Sequence, residues 1–150
     1  MNHPQQRFEC HRIAEGLAEG DALVSGDDIC FYLVDPKTGE IIEERHAAQG
    51  QSVAGKVLIF PSGKGSSVVQ ADGLYQLSMH GKAPKAMIIQ HPDTVLVSSA
   101  IIMGIPLVDR LNADFYRTVR QGDWIRVDAD HCTVIVAEKS GQPDSDRHAG

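Results

Sequence analysis

The sequence has few aromatic residues and few cysteines, and the small number of cysteines excludes some classes of protein. Phe, Trp and Tyr make up 5% of its 150 residues, and only three cysteines are present. Cys10, Cys30 and Cys132 are far apart and odd in number, so neither a metal or redox motif nor a disulfide framework is predicted. Free cysteine packs as a small hydrophobe, so we expect three buried free thiols.

Long apolar runs and an excess of positive charge are also missing. The longest apolar run, residues 94–108, is too short and too interrupted to cross a bilayer, and the first ten residues lack the apolar core of a signal peptide. The net charge is −6 and no basic stripe is visible, which argues against nucleic acid or an acidic membrane surface as a partner. We therefore expect a cytoplasmic protein that binds neither.

The chain does contain a glycine-rich loop between an apolar run and a helical pattern. Residues 57–60 are all apolar and predict a buried strand, which Pro61 ends. Two glycines follow in residues 62–65, and the next two serines can start a helix whose C′ residue is Gly81. A serine hydroxyl then lies beside free backbone N–H groups at the positive end of a helix dipole, where an anion would be stabilised.

The rest of the chain predicts a β-rich α+β domain. We expect one strand–loop–helix–strand crossover in the middle, which requires a parallel pair of strands, and a β-hairpin at the end. The domain covers residues 1–138, and a polar tail over residues 139–150 is expected to be disordered. Residues 95–103 fit either a strand or a short helix, and a short helix is predicted from Asn112. Strands are predicted at residues 8–13, 22–24, 29–34, 86–90, 105–108, 124–127 and 132–137, with a possible edge strand at 40–45.

The loop fits none of the common nucleotide or hydrolase motifs. It is too short for a Walker A loop, its Lys64 stands between the two glycines, and Val68 occupies the third glycine position of the dinucleotide fingerprint. The G-x-S-x-G elbow is also absent. Taken alone, Ser66 or Ser67 could simply cap the helix, which is worth about 1 kcal/mol.

An ordered set of motifs resembles the swivelling-domain subunit of aconitase X enzymes. The segments are GKVLIFPSGKGSS, GLYQL, GKAPKAMII and DTVLVSSAIIMGIPLV, preceded by VSGDDICFYLVDPKTGEII, and the likeness covers about residues 12–136. The resemblance implies a swivelling β/β/α domain that belongs to a hydro-lyase. Such an enzyme removes water from a small hydroxy acid with the help of an iron–sulfur cluster.

The resemblance also implies roles for the loop residues. Ser66 would be the catalytic base that takes the proton α to the substrate carboxylate, while Gly63, Lys64, Gly65 and Ser67 would bind substrate or stabilise the alkoxide. No metal ligand is predicted in this chain, because its cysteines lack ligand-like spacing. The cluster is therefore expected on a large partner subunit, and the chain alone is expected to be inactive.

Two substrates and one different class of function stay open. Dehydration of cis-3-hydroxy-L-proline to a pyrroline carboxylate is favoured over dehydration of mevalonate 5-phosphate for two reasons. Residues 66–70 are more apolar than the loop of the archaeal branch that the resemblance includes. A phosphate also needs further cations, and only Lys64 is near the loop in sequence, with Lys56 and Lys82 less certain. Whether His46 or Arg110 reaches the site is open. The other class is a non-enzymatic carrier domain of the same fold, which would need an exposed histidine where this loop has Ser66 and Lys64.

Overall fold

Eight strands form one curled sheet in the computed structural model, which describes residues 5–138. The strand order is β1-β8-β7-β3-β4-β5-β6-β2. Only Cys10 separates β1 from β2 along the chain, so the sheet curls until its two ends meet. The strands are β1 (Gln5–Glu9), β2 (His11–Ala14), β3 (Leu17–Val24), β4 (Val57–Ile59), β5 (Ala86–Ile88), β6 (Leu107–Asp109), β7 (Trp124–Asp128) and β8 (Thr133–Ala137); the α-helices are α1 (Ser67–Met79), α2 (Thr94–Met103) and α3 (Ala113–Thr118).

The chain packs as two layers of sheet and one layer of helix. In β4, Leu58 belongs to the same buried cluster as Leu74 and Leu77 of α1. Val57 and Ile59 belong to a second cluster, which is shared with β7 and β8. Because both faces of β4 and β5 are covered, these strands are apolar throughout rather than alternating. The expected α+β fold with β/β/α layers is confirmed.

Four neighbouring strands run parallel, and this arrangement positions the site. The pairs β3–β4, β4–β5 and β5–β6 are parallel, while β1–β8, β7–β8, β3–β7 and β2–β6 are antiparallel. The carboxyl ends of β4, β5 and β6 therefore meet at one edge of the sheet. The segments that follow them, residues 60–66, 89–93 and 110–112, leave from that edge.

Residues 95–103, which fitted two structures, form a helix and add a second crossover. The Asp93 carboxylate accepts the Leu96 N–H at 3.0 Å and caps α2, and Gly104 ends the helix at φ 70°. The chain thus makes β4–α1–β5 and β5–α2–β6 crossovers rather than the one predicted. Gly81 after α1 (φ 69°) and the Asn112 cap of α3 are confirmed, as is the final β7–β8 hairpin.

The predicted strand at residues 29–34 is wrong. Ile29 makes one parallel bridge to Gly63 and Val34 one antiparallel bridge to Ile41, but Phe31–Leu33 between them form a 3-10 turn. The buried Phe31 ring fits beneath α1, so its apolar character serves contact with a helix and not a sheet face. The possible strand at residues 40–45 is likewise absent, and Glu40 and Ile41 form only isolated bridges.

The sequence also led to predictions about the three cysteines and about the end of the chain. Cys10, Cys30 and Cys132 are free thiols, but none is fully buried and Cys132 is exposed, which corrects the expectation of burial. The predicted tail over residues 139–150 lies outside the described residues. Within the described part of the chain, no helix has the length and apolar character that crossing a membrane requires.

Candidate functional site

Ser66 stands at the start of α1 with its hydroxyl unused. It occupies the N-cap position in extended conformation, and its carbonyl accepts the N–H of Gln70 at 3.0 Å, but its side chain makes no capping hydrogen bond. The residue is exposed, as are Ser67 and Val68 after it. The first-turn N–H groups have no intrahelical partner. The hydroxyl thus lies at the positive end of a 13-residue helix, where negative charge on oxygen is stabilised.

The loop before Ser66 is fastened to a neighbouring segment through its backbone. Ile29 donates its N–H to the Ser62 carbonyl at 3.0 Å, and its own carbonyl accepts the Lys64 N–H at 3.0 Å. These two bonds fix the loop on both sides of Gly63. The direction in which Ser66 faces therefore depends on a segment more than 30 residues earlier in the chain.

The surroundings restrict both glycines of the loop, Gly65 through its backbone angle and Gly63 through the end of the Gln70 side chain. A Cβ at position 63 would collide with Oε1 of Gln70, a buried amide oxygen that has no hydrogen-bond partner among the described residues. Gly65 has φ 109°, and a Cβ there would lie 3.1 Å from the Cys30 sulfur. Such a backbone angle is open to glycine and strained for other residues. The predicted binding role of these glycines stays a prediction.

Lys64 forms an ion pair with Glu43. Its Nζ lies 2.6 Å from Oε2 of that carboxylate, and the hydrogen bond raises the pKa of Lys64 above its ordinary value. The sequence predicted a cation aimed at the substrate or at an alkoxide. In the structure the ammonium group instead faces a carboxylate 21 residues away, which reduces the positive charge it offers to an anion.

We expect the Lys64–Glu43 pair to add about 0.2–1 kcal/mol to the free energy of unfolding, because both side chains are partly exposed. A lysine whose pKa is raised by folding contributes below its unfolded pKa of about 10.4, and the contribution is lost as the pH rises through the folded pKa. A double-mutant cycle of Lys64→Met and Glu43→Gln, measured by urea unfolding at neutral and alkaline pH, checks this. A coupling energy unchanged above the pKa of Lys64 would contradict it.

Of the two residues whose relation to the site was open, His46 has a structural role and Arg110 lies at the sheet edge from which the Ser66 loop also leaves. His46 is buried, and its Nε2 is 2.8 Å from the Asp28 carbonyl while its Nδ1 accepts the Ala48 N–H at 2.9 Å. Both ring nitrogens are therefore engaged. Arg110 follows β6 directly, so it leaves the sheet at the same edge as the loop that carries Ser66.

Comparison with known protein families identifies the family to which this fold belongs. Residues 7–136 match the family model described as the aconitase X swivel domain. The chain belongs to the aconitase X swivel-domain family. The swivel domain accounts for nearly all of the described residues and includes the strand, the glycine loop and α1.

Two relatives of this swivel domain carry the same name. The phosphomevalonate dehydratase small subunit of Methanocella arvoryzae is 50% identical over 119 residues, which are 79% of this chain and 89% of that protein. The small subunit of the same name from Methanosarcina mazei is 43% identical over 138 residues, 91% of this chain and 95% of that protein. The chain is thus similar to dehydratase small subunits along nearly their whole length.

A solved structure agrees with the fold. The crystal structure of aconitase X from Thermococcus kodakaraensis in its holo-form superposes with a TM-score of 0.80 at 38% identity. The match covers 89% of this chain and 99% of that one. Both the layers and the connections of the swivel domain are therefore shared with an aconitase X enzyme.

The sequence analysis missed the residues that follow β5. Gln90 and His91 lie at the same sheet edge as Arg110, and all three belong to segments that begin where a parallel strand ends. The available signal was their position directly after apolar runs. Carboxyl ends of parallel strands form one edge, and ligands commonly bind there.

Proposed function

We propose that this chain is the small subunit of a phosphomevalonate dehydratase and that Ser66 is the base of the reaction. The observation that carries the proposal is the name shared by relatives that are up to 50% identical and matched over about nine-tenths of their length. The free hydroxyl of Ser66 at the start of α1 supports the role of the base. The loop holds no histidine, which a carrier domain would need there.

The chemistry of the substrate assigns Ser66 a defined step. In the dehydration of mevalonate 5-phosphate next to its carboxylate, the Ser66 alkoxide takes the proton from carbon 2 and becomes a hydroxyl. The electron pair of that C–H bond forms the double bond between carbons 2 and 3, and the hydroxyl group of carbon 3 leaves with its bonding pair as hydroxide. A serine takes such a proton only as alkoxide, which needs positive charge close to its oxygen. The first-turn N–H groups of α1 supply it, and Lys64 contributes less because Glu43 neutralises its charge.

The iron–sulfur cluster implied by the resemblance does not fit the described residues of this chain. No group of three His, Cys, Asp or Glu side chains within residues 5–138 could hold a metal ion. Cys30 lies against Gly65, whereas Cys10 and Cys132 lie beside each other at the end of β1. We propose that the cluster and its ligands belong to a large subunit.

Exposed apolar side chains near the loop support a partner subunit. Val68, next to the two serines, is 79% exposed, and Tyr32 and Ile42 are 58% and 51% exposed. The 3-10 turn that carries Tyr32 packs on α1, and Ile42 donates its N–H to Leu33 of the same turn at 3.0 Å. A large subunit that covers this surface would bury these side chains and close the site around Ser66.

One of the two arguments that favoured hydroxyproline no longer holds. That argument depended on Lys64 being the only cation near the loop in sequence. Arg110 and His91 lie at the same sheet edge, so a phosphorylated substrate does not lack cationic or hydrogen-bonding side chains there. The named relatives also favour mevalonate 5-phosphate.

The test is a reconstitution with the large subunit. We expect the isolated chain to give no turnover, and the assembled complex to dehydrate mevalonate 5-phosphate, measured by mass spectrometry of the unsaturated acid. The same complex is assayed with cis-3-hydroxy-L-proline as the comparison substrate. Turnover of hydroxyproline alone would overturn the proposed substrate, and iron-independent turnover by the isolated chain would overturn the division between subunits.

A further inference from the structure

A pocket lies at the carboxyl ends of β5 and β6, beside the loop that carries Ser66. Its volume is about 310 Å³, and it is lined by Gln90, His91, Arg110, Leu111 and Tyr116. Two of these side chains can donate several hydrogen bonds, because a guanidinium carries five N–H donors and a primary amide two. The pocket therefore presents donors and no carboxylate among the residues that line it.

Hydrogen bonds join this pocket to the Ser66 loop. The N–H groups of Gln90 and His91 both donate to the Pro61 carbonyl at 2.9 Å. In return, the Ser62 hydroxyl donates to the His91 carbonyl at 2.7 Å. The wall of the pocket and the start of the loop thus form one connected unit, and a shift of one would move the other.

Arg110 has the features expected of a residue that binds a ligand. It is exposed, and it forms no ion pair with any residue in the range 5–138. The neighbouring Asp109 is buried and directs its carboxylate to His11 Nδ1 at 2.7 Å. Arg110 also has φ 60°, a left-handed conformation that is unfavourable for any residue with a Cβ. Backbone strain of this kind concentrates at functional sites.

Tyr116 adds a buried hydroxyl to the same wall. Its Oη is buried and has no hydrogen-bond partner within the part of the chain that the structure describes. Burial, and secondly the charge of Asp109, raises the pKa of Tyr116 to about 12, so the hydroxyl keeps its proton and can donate it in a hydrogen bond. Buried hydroxyls usually have a partner, and a donor without one is suited to an incoming anion.

We infer that this pocket binds the phosphate group of the substrate, with Arg110 as its principal ligand and Gln90 and His91 beside it. The inference rests on the proposed function and deepens it. Lys64, the cation nearest to Ser66 in sequence, is paired with Glu43, whereas Arg110 is unpaired among the described residues. Guanidinium groups bind phosphate oxygens in pairs, which makes arginine the suited residue.

The spacing of the strands agrees with such a substrate. Neighbouring strands lie about 4.8 Å apart, so the end of β6 is about 10 Å from the end of β4, where the Ser66 loop begins. In mevalonate 5-phosphate the phosphate is separated by several bonds from the carbon that loses its proton. One extended molecule can therefore extend from the pocket to the start of the loop that carries Ser66.

The test measures phosphate affinity in the assembled complex of Arg110 variants. Arg110→Gly removes the guanidinium but accepts the left-handed backbone, so its melting temperature should not fall. We expect its KM for mevalonate 5-phosphate, and its Kd for inorganic phosphate measured by ³¹P NMR, to rise roughly ten- to hundredfold, with kcat nearly unchanged. Arg110→Lys should lose less. Arg117→Ala, the matched control, removes a charge that pairs with Asp114 outside the pocket and should leave both constants within about twofold.

The two proposals fail in different ways. A wild-type complex that does not turn over mevalonate 5-phosphate overturns the proposed function, whatever Arg110 does. Unchanged KM and Kd in Arg110→Gly overturn the phosphate pocket, even in an active complex. Because inorganic phosphate binding is measured directly, the pocket is tested even where turnover is absent.

Discussion

Replacing Ser66 by alanine is expected to lower the turnover of the assembled dehydratase by about 10²- to 10⁴-fold, which is the contribution of a general base. The reason is that the exposed Ser66 hydroxyl makes no capping hydrogen bond and lies at the first turn of α1. The hydroxyl of Ser62, earlier in the same loop, donates to the His91 carbonyl. The measurement is kcat of the reconstituted complex, with the proportion of assembled complex determined by size-exclusion chromatography.

Ser78→Ala is the matched control for this prediction. It removes the same group from an exposed position near the other end of α1 and should change kcat by less than about twofold. Since the Ser66 side chain makes no capping bond, Ser66→Ala should also leave the melting temperature nearly unchanged. Activity that survives in Ser66→Ala would transfer the base elsewhere and leave Ser66 as the residue that starts the helix.

The centre of the fold could be predicted because its sequence signals are local. Residues 57–60 and 86–89 are continuous apolar runs, and such runs suit strands buried on both faces. The intervening helix has a serine at its start and Gly81 at its end. Here composition, periodicity and turn residues agree with one another, and the observed β4, α1 and β5 follow them closely.

Residues 29–34 could not be predicted correctly, because what surrounds them decides their conformation. Their apolar and aromatic side chains suit any half-buried surface, and no local signal distinguishes a sheet face from a helix. In the structure α1 lies over them, with Gly73 against the backbone of Phe31 and Tyr32. The strand prediction assumed a partner strand at a place where the chain supplies a helix.

Only part of the candidate site could be predicted from the sequence, for a related reason. The Ser66 loop is contiguous, whereas His91 and Arg110 join it only if β4, β5 and β6 are adjacent and parallel. That adjacency follows once residues 94–103 form a helix and not a strand, which periodicity left open. Likewise, the neutralisation of Lys64 depends on Glu43, and no pattern in the sequence links these two residues.

The largest loss of stability from a single methyl group is expected at Gly73. Alanine in place of glycine within a helix ordinarily stabilises a protein by about 1 kcal/mol. Here a Cβ would overlap the carbonyl of Phe31 and the nitrogen of Tyr32, which are backbone atoms that cannot move aside as a side chain would. We therefore expect Gly73→Ala to lower the free energy of unfolding by about 1–3 kcal/mol, measured by urea denaturation.

The same substitution connects packing to the site. Phe31 and Ile29 belong to one segment, and Ile29 holds the Ser66 loop through its two backbone bonds. Displacing this segment from α1 should therefore lower kcat of the complex as well as stability. Gly26→Ala is the control, because its Cβ would meet no atom within 4 Å and should change stability by less than about 0.5 kcal/mol. A Gly73→Ala variant as stable as the parent would mean that α1 and the 3-10 turn are not in close contact, and that Ile29 positions the loop independently of α1.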